Sequence, residues 1–304
     1  MGFGSFFSVA KITSFFKNPV VALITTVAVS WLMRPKTPEI ADFGTNQADD
    51  YEKGILLNKQ SNDASIPVIY GTRLVGGTRV FIETSGTDNT YLYMALVLSE
   101  GEINDITEIR IDDKAITWSG DLADNTQRTV GSGDGNFYKD SESLITVEPH
   151  YGTDGQSASS LLSTLSSWGS THKLSGLAYL ALRFKWNQDA FQGIPNVKAV
   201  IQGKKVVAYN SESVAQSAAH SDNPSWCLLD YLTNERYGKG LAIANIDIPS
   251  FYTASTICDA DVTAYGSTTI DVMDCNSVVD TSSSVIDNVR EFLKGCRGYL
   301  PYVS

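Results

Sequence analysis

Histidine is scarce in this 304-residue chain, which has three, and the common catalytic motifs are missing. No HExxH, GxSxG or Cys–His nucleophile arrangement occurs, and no histidine lies near a cysteine at a metal-ligand spacing. Gly131, Gly133 and Gly135 are not followed by GK[ST], which excludes a P-loop. We therefore predict no catalytic, cofactor-binding or metal-ligating residues, and no cofactor. A glycosidase stays open as an alternative, because its two carboxylates need not be close in sequence.

Cysteine is also rare, and no two of the four cysteines form a CxxC pair. Cys227, Cys258, Cys275 and Cys296 all lie in apolar or helical settings. This usage favours reduced thiols and synthesis in a cytoplasm over a disulfide framework. A single Cys227–Cys258 bridge between two predicted helices is the alternative.

Basic residues are outnumbered, with 23 lysines and arginines against 34 aspartates and glutamates and a formal net charge of −11. The first 36 residues hold Lys11, Lys17, Arg34 and Lys36 and no acidic residue, so they contribute +4 and leave −15 on the rest. A body this acidic repels phosphate groups, so we expect no specific nucleic-acid binding. The composition, 42% hydrophobic and 19% charged, is typical of a globular chain.

The chain opens on an apolar segment that is short for a membrane span. Residues 20–33 carry no charge, but as a helix they would reach about 21 Å, and a span needs about 20 apolar residues. A transmembrane anchor and a signal peptide are alternatives, although the apolar run begins late and the positive start is weak. We predict that residues 1–36 form an apolar helical segment buried against protein, and that residues 37–63 form a linker.

From residue 64 the hydrophobic period changes to two. Strand-like segments rich in Val, Ile, Tyr and Thr follow, namely IPVIYG, TRLVGGTRVFIET, TYLYMALVLSEG and ITEIRIDDKAITW. In the third of these, both faces are apolar, which is typical of a strand inside a sandwich or an oligomer rather than on a solvated sheet. Residues 176–187 and 197–209 are predicted as further strands. We predict a strand-dominated α+β chain with a β-sandwich or barrel over residues 64–209.

Two segments interrupt this pattern. Residues 119–145 are polar and glycine-rich, and we predict an inserted loop. Asp134, Asn136, Asp140 and Glu142 approach a calcium-loop pattern, but Tyr138 and Lys139 occupy its fifth and sixth positions and no glutamate stands at the twelfth. Residues 156–168 are predicted as a short amphipathic helix with its apolar residues on one side, which are Leu161, Leu162, Leu165 and Trp168. Asp112 and Asp113 are interpreted as solvated turn residues.

Residues 210–304 are predicted to form a smaller unit that contains paired helices. Asn223 caps the first helix and Pro224 occupies its first position. Trp226 is predicted as a buried anchor between the two helices, and Gly238 and Gly240 mark the turn. A second helix opens at Pro249, and Phe251, Tyr252 and Ile257 are expected to face the first helix.

The end of the chain is predicted to add two strands and one helix. TTIDVMD predicts a strand, and a helix follows that is capped by Ser282 or Ser283 and ended by Gly295 and Gly298. GYLPYVS predicts a final strand with no partner after it. We therefore expect these residues to be the N-terminal portion of a longer protein.

One stretch carries a resemblance to a known family. Asn-Pro-x-Trp-Cys-Leu, then Arg-Tyr-Gly-x-Gly, then a helix ending in Cys-Asp, resembles the tip attachment protein J family, the central tail hub of lambda-like siphophages. The matching residues are Trp226, Cys227, Leu228, Arg236, Tyr237, Gly238, Gly240, Cys258 and Asp259. Looser matches are Pro-Val-x-Tyr-Gly at residues 67–71, Ser-Glu-Gly at 99–101 and Ile-Arg-Ile-Asp-Asp at 109–113. The family does not obviously share the apolar opening.

The resemblance implies a tail-tube-like hub domain and a non-enzymatic structural role in the virion. Such a hub is made in the host cytoplasm, closes the tail tube at the tip, and links it to the tape measure and the host-recognition parts during adsorption and DNA ejection. The implied partners are two further copies in a homotrimer, the distal tail and other tail-tip proteins, and the C-terminus of the tape-measure protein. Residues 3–33 could then also contact the host membrane. The alternative function is a membrane-anchored β-rich surface protein or a cell-wall hydrolase.

Overall fold

The computed structural model describes residue 58 and residues 65–263 and 269–301. The predicted apolar helix at residues 1–36 lies outside the described residues, as does the predicted linker at 37–63 apart from Asn58. Asn58 is held by Val197, whose N–H donates to its Oδ1 (2.7 Å) and whose carbonyl accepts from its Nδ2 (2.6 Å). Strands dominate the described chain and α-helices occur in its last third, which confirms the predicted α+β class.

Two antiparallel sheets form the larger part of the fold. The strands are β1 (Val68–Tyr70), β2 (Thr72–Gly76), β3 (Thr78–Ser85), β4 (Tyr91–Glu100), β5 (Ile103–Ile111), β6 (Lys114–Ala115), β7 (Arg128–Thr129), β8 (Tyr138–Lys139), β9 (Glu142–Ser143), β10 (Ile145–Tyr151), β11 (Leu177–Lys185), β12 (Val197–Lys204), β13 (Asp261–Thr263), β14 (Thr269–Asp271) and β15 (Ser277–Val279). One sheet has the order β3-β4-β11-β10-β7 and the other β2-β12-β5-β6. Both contribute side chains to one apolar core, so they form the predicted sandwich.

Strand β4 is buried on both faces, as its sequence predicts. Leu92, Met94 and Leu96 belong to the core between the sheets. The alternate residues Tyr93 and Val97 belong to a second apolar cluster on the outer face of the five-stranded sheet. A strand with period-two side chains can be apolar at every position only where both faces are covered.

Residues 153–176 supply that outer cover, and here the predicted helix at 156–168 is wrong. Its apolar residues are buried against the sheet as expected, but the only helical element is a 3₁₀ turn at Leu162–Thr164. The carboxylate of Glu148 on β10 accepts the backbone N–H groups of Ser160 (3.0 Å) and Leu161 (2.7 Å). Those contacts from the sheet hold the segment as a strap of turns.

The predicted loop at residues 119–145 is more structured than its composition suggests. It contains β7 and the β8–β9 hairpin, and Val130 and Phe137 are buried in the inter-sheet core. Likewise the predicted strand at 197–209 ends early, at Lys204. Gly203 allows the backbone of β1 to come close there, since a Cβ at this position would lie 2.2 Å from the carbonyl oxygen of Ile69.

The helices pack around a third apolar cluster. They are α1 (Pro224–Thr233), α2 (Ile248–Cys258) and α3 (Val285–Gly295). Strand β1 pairs with β15 and contributes Val68 and Tyr70 to this cluster, so a strand from the start of the described chain lies across the predicted boundary at residue 210. None of the described helices has both the length and the apolar character needed to cross a bilayer.

Helix boundaries agree with the predicted caps, with small corrections. Asn223 Oδ1 accepts the Ser225 N–H (2.9 Å) and Pro224 is the first residue of α1. The cap of α3 is Ser284, one residue beyond the two predicted serines, because its hydroxyl accepts the Asp287 N–H. The prediction that Ile257 faces α1 is wrong: it is 58% exposed, whereas Phe251 is buried.

The predicted final strand is also wrong for residues 298–301. The Gly298 N–H donates to the Leu293 carbonyl (2.8 Å) and Arg297 has a left-handed φ of 50°. This is a Schellman ending of α3, which satisfies the last helical carbonyls and turns the chain outward. Tyr299 beyond it is 85% exposed, and residues 298–301 pair with no strand among the described residues.

Candidate functional site

Three of the four stretches that carry the family resemblance, all except residues 109–113, meet at the junction between the sandwich and the helical unit. Tyr70 from residues 67–71, Glu100 from residues 99–101, and Asp230, Arg236 and Tyr237 from the helical stretch form one polar cluster, which we name the junction cluster. Tyr70 and Tyr237, the first and last of these residues, are 167 positions apart in the sequence. Their convergence was not predictable from spacing, although each motif had been identified separately.

Asp230 on α1 is the centre of the junction cluster. Its Oδ2 accepts hydrogen bonds from the hydroxyls of Tyr70 (2.6 Å) and Tyr237 (3.0 Å). Burial, and then the neighbouring Asp230 carboxylate, raise the pKa of both tyrosines well above the usual value. Both hydroxyls therefore stay protonated and act as hydrogen-bond donors to Asp230.

Arg236 and Glu100 form the second connection in the junction cluster. The guanidinium of Arg236 forms an ion pair with the carboxylate of Glu100 at the end of β4. Burial raises the pKa of Glu100, and Arg236 opposes that shift. The Glu100 backbone N–H also donates to the Pro67 carbonyl (2.8 Å). This bond holds the start of strand β1, which contains Tyr70, beside the end of β4.

The Arg-Tyr-Gly-x-Gly turn is folded back tightly onto α1. Asn234 ends the helix, and its side chain accepts the N–H groups of Arg236 (2.9 Å) and Tyr237 (3.2 Å). A Cβ at Gly238 would lie 1.7 Å from the Tyr231 carbonyl oxygen, so only glycine fits there. The turn therefore aims Arg236 and Tyr237 back at the sandwich.

Trp226 is buried, with 5% of its surface exposed, which confirms the predicted core position. Its aromatic neighbour is Tyr209, with ring centroids 6.2 Å apart, on the segment that leads from the sandwich into α1. Phe251 of α2 belongs to the same apolar cluster. Trp226 thus helps to join the connecting segment to the helices, in addition to the predicted helix contact.

The described cysteines are all free thiols, so the alternative Cys227–Cys258 bridge is absent from the described residues. The thiol of Cys227 donates to the Ser221 carbonyl (3.5 Å), and the neighbouring Cys275, followed by burial, raises the pKa of Cys227. Burial, with smaller effects from Cys296 and Asp259, raises the pKa of Cys258 to about 11. Raised thiol pKa values disfavour the reactive thiolate.

A second buried polar cluster lies under the strap at residues 153–176. Glu148 accepts hydrogen bonds from the hydroxyls of Ser159 (2.9 Å) and Ser160 (3.1 Å), and Nε2 of His150 lies 3.4 Å from its Oε1. The His150 ring stacks on Tyr179, with centroids 4.2 Å apart. Ser159 and His150 each contact the Glu148 carboxylate. In a serine nucleophile site the histidine would instead contact the serine hydroxyl, so this cluster lacks the nucleophile–base contact of such a site.

Burial opposes ionisation of Glu148, yet its pKa is lowered to about 2. The contact with His150 and the N–H groups of Leu161 and Ser160 favour the carboxylate more strongly than burial disfavours it. This carboxylate therefore stays charged at neutral pH and holds the strap on the sheet.

Three acidic residues singled out in the sequence, Asp112, Asp113 and Asp134, lie in turns. Asp134 is buried and accepts the N–H groups of Asn136 (2.8 Å), Phe137 (2.9 Å) and Thr117 (3.0 Å). Asp112 and Asp113 are exposed and have positive φ, as expected for turn residues. An acidic group that was not predicted comprises Asp222, Asp271 and Asp274, whose carboxylate oxygens lie within 4.8 Å of one another.

Comparison with known proteins gives a similarity to a phage protein. No family model matches the chain. The chain is 24% identical over 294 residues to the baseplate hub protein pb3 of Escherichia phage T5, a match that covers 79% of this chain and 31% of that protein. The chain therefore spans about a third of the length of this relative.

A solved structure, the virion of a native gene transfer agent particle, also matches. The match covers 66% of this chain and 40% of the matched chain, with 13% identity and a TM-score of 0.36. Membership of the tip attachment protein J family stays a prediction. The similarity to the T5 protein supports a virion structural protein of a phage tail.

Proposed function

We propose that this chain is a structural hub of a siphophage tail tip. The observation that carries the proposal is the similarity to baseplate hub protein pb3 over 79% of the chain. In this role it closes the tail tube and links it to the tape measure and the host-recognition parts during adsorption and DNA ejection. It is made in the host cytoplasm and ends in the virion at the tail tip.

The proposed mechanism is mechanical. The junction cluster would hold the two units together in the assembled tip, because hydrogen bonds and an ion pair connect them directly. The residues involved are Tyr70, Asp230, Tyr237, Arg236 and Glu100. The pairing of β1 with β15 adds a backbone connection between the same units. We propose no enzymatic activity.

The proposed partners are two further copies in a closed homotrimer, the distal tail and other tail-tip proteins, and the C-terminus of the tape-measure protein. The net charge of the chain suits a wall past which DNA slides without sticking. Residues 3–33 are proposed to pack against protein in the assembled tip and to contact the host membrane when the tail opens. Their apolar side chains need such a cover.

Antibody labelling of particles from the native source, viewed in negative stain, tests the location. The proposal predicts label at tail tips and none on host membranes. Label on membranes instead would refute the proposal and favour an anchored surface protein. Release of cell-wall fragments by the purified chain would refute the non-enzymatic role separately.

Deletion of residues 3–33 tests the membrane step. We expect the deleted particles to lose DNA delivery while still adsorbing to cells. Particles that assemble and deliver DNA normally without these residues would refute the membrane contact and leave the hub assignment standing.

A further inference from the structure

The hairpin formed by β13 and β14 is an exposed arm with an apolar face. Val262 stands directly opposite Ile270, and the Val272 N–H continues the pairing by donating to the Ala260 carbonyl (3.1 Å). Because side chains alternate along strands, these three apolar residues share one face. Together with Ile257 at the end of α2, they are between 41% and 58% exposed.

The other face of the hairpin is acidic. Asp261 stands directly opposite Asp271, and like charges in that position repel each other. Asp271 also belongs to the group with Asp222 and Asp274 described above. Burial, followed by repulsion from these carboxylates, raises the pKa of Asp274. Among the residues that the structure describes, the hairpin therefore has no apolar cover, and its own described residues carry no positive charge.

Two short strands with both faces exposed are marginally stable by themselves. Every described residue from 259 to 263 and from 269 to 272 is exposed. A second copy of the hairpin is a poor cover, because it carries the same aspartates and would bring like charges together without neutralising the acidic face. The cover needs apolar side chains and several basic residues close together.

Residues 1–36 have that chemistry and belong to the same chain. They are rich in Phe, Val and Ile, they hold four basic residues, and they contain no acidic residue, whereas the rest of the chain carries −15. Asn58 is fixed on β12, so 21 residues separate it from residue 36 and could reach about 70 Å when extended. The tether raises the effective concentration of the segment at its own hairpin.

We propose that residues 1–36 dock on the β13–β14 hairpin of the same chain, with apolar side chains on Val262, Ile270 and Val272 and with Lys11 and Lys17 at Asp261 and Asp271. The flexible lysine stem reaches round the edge of a two-stranded ribbon to its acidic face. This inference goes beyond the tail-tip role and does not depend on it.

Carbodiimide cross-linking of the full chain, read by mass spectrometry, tests the docking because it joins only touching amines and carboxylates. We expect links from Lys11 or Lys17 to Asp261 or Asp271, within single chains when ¹⁴N and ¹⁵N protein are mixed. Links only to other carboxylates, links only between chains, or no links would overturn the proposal.

Charge reversal makes the test specific. Asp261→Lys with Asp271→Lys removes the reactive carboxylates and so abolishes these links by itself, and the informative variant adds Lys11→Asp with Lys17→Asp, which should restore links between the exchanged positions. Asp121→Lys with Asp140→Lys, at exposed sites outside the hairpin, is the matched control and should leave the links unchanged.

The apolar half of the proposal has its own variant. Val262→Ser with Ile270→Ser keeps every charge and should still reduce the yield of cross-links several-fold, because the covered face is lost. Ile286→Ser on α3 removes an equally exposed isoleucine elsewhere and is the control. Equal yields for the hairpin and control variants would overturn the apolar contact.

Discussion

The hydroxyl of Tyr70 donates a 2.6 Å hydrogen bond to the carboxylate of Asp230, which lies 160 positions later in the sequence. The bond joins strand β1, beside the sandwich, to helix α1. Tyr70 is fully buried, and its ring also packs edge-on against Phe292 of α3, with centroids 5.5 Å apart. One side chain thus contacts two helices of the second unit.

Removing that hydroxyl should weaken the junction cluster. Tyr70→Phe keeps the ring but leaves Asp230 with one fewer donor, so we expect the free energy of unfolding to fall by about 1.5–3 kcal/mol, the range for bonds to charged groups. Urea titration measures the loss. Tyr138→Phe, whose hydroxyl bonds to the Ser141 carbonyl at an exposed hairpin, is the matched control and should change stability by less than about 0.5 kcal/mol.

Gly238 should tolerate no side chain. Gly238→Ala would place a Cβ against the Tyr231 carbonyl, so the turn must move, and we expect a loss on the order of 3 kcal/mol. Gly133→Ala and Gly135→Ala, where a Cβ meets no atom within 4 Å, should be close to neutral. Equal melting temperatures for the Gly238 and Gly133 variants would contradict the tight turn.

Trp226→Ala should destabilise the helical unit by about 3–5 kcal/mol, through lost burial and the cavity left behind. Thermal unfolding followed by circular dichroism measures the change. Tyr299→Ala is the control, since that ring is exposed. A loss below about 1 kcal/mol for Trp226 would show that its burial contributes little to stability.

Glu148 should make stability depend on pH. Its pKa is lowered from 4.5 to about 2, so its contribution is fully present above pH 4.5 and is lost as the pH falls from 4.5 to 2. The shift corresponds to about 3 kcal/mol, and Glu148→Gln should remove most of this at pH 7 and flatten the acid limb of the stability curve. The exposed Glu212→Gln is the control, and an unchanged acid limb in the Glu148 variant would contradict the prediction.

Several elements were predictable because local chemistry determines them. The apolar faces of β4 indicated a strand covered on both sides, and Asn223 with Pro224 located the start of α1 to the residue. The strap at 153–176 was not predictable, because its leucine spacing fits a helix while a carboxylate from a distant strand takes its N–H groups. A pattern in sequence contains no information about such a tertiary partner.

The junction cluster illustrates the same limit. Arg236 and Tyr237 were singled out from the family resemblance, and their roles depend on Glu100 and Tyr70, which lie more than 130 positions earlier. The exposure of the β13–β14 hairpin was likewise not predictable, because TTIDVMD predicts a strand but does not indicate which of its faces is covered. Both the junction cluster and the exposure of the hairpin depend on how distant segments of the chain pack, which sequence patterns do not show.

A cryo-EM map of tail tips purified from the native source tests the central claim most directly. The account predicts three copies of this chain around the tail axis, with the sandwich next to the tube and with Tyr70 and Asp230 in contact in each copy. A tip with two-fold or six-fold copies of the chain, or a tip that lacks it, would contradict the account.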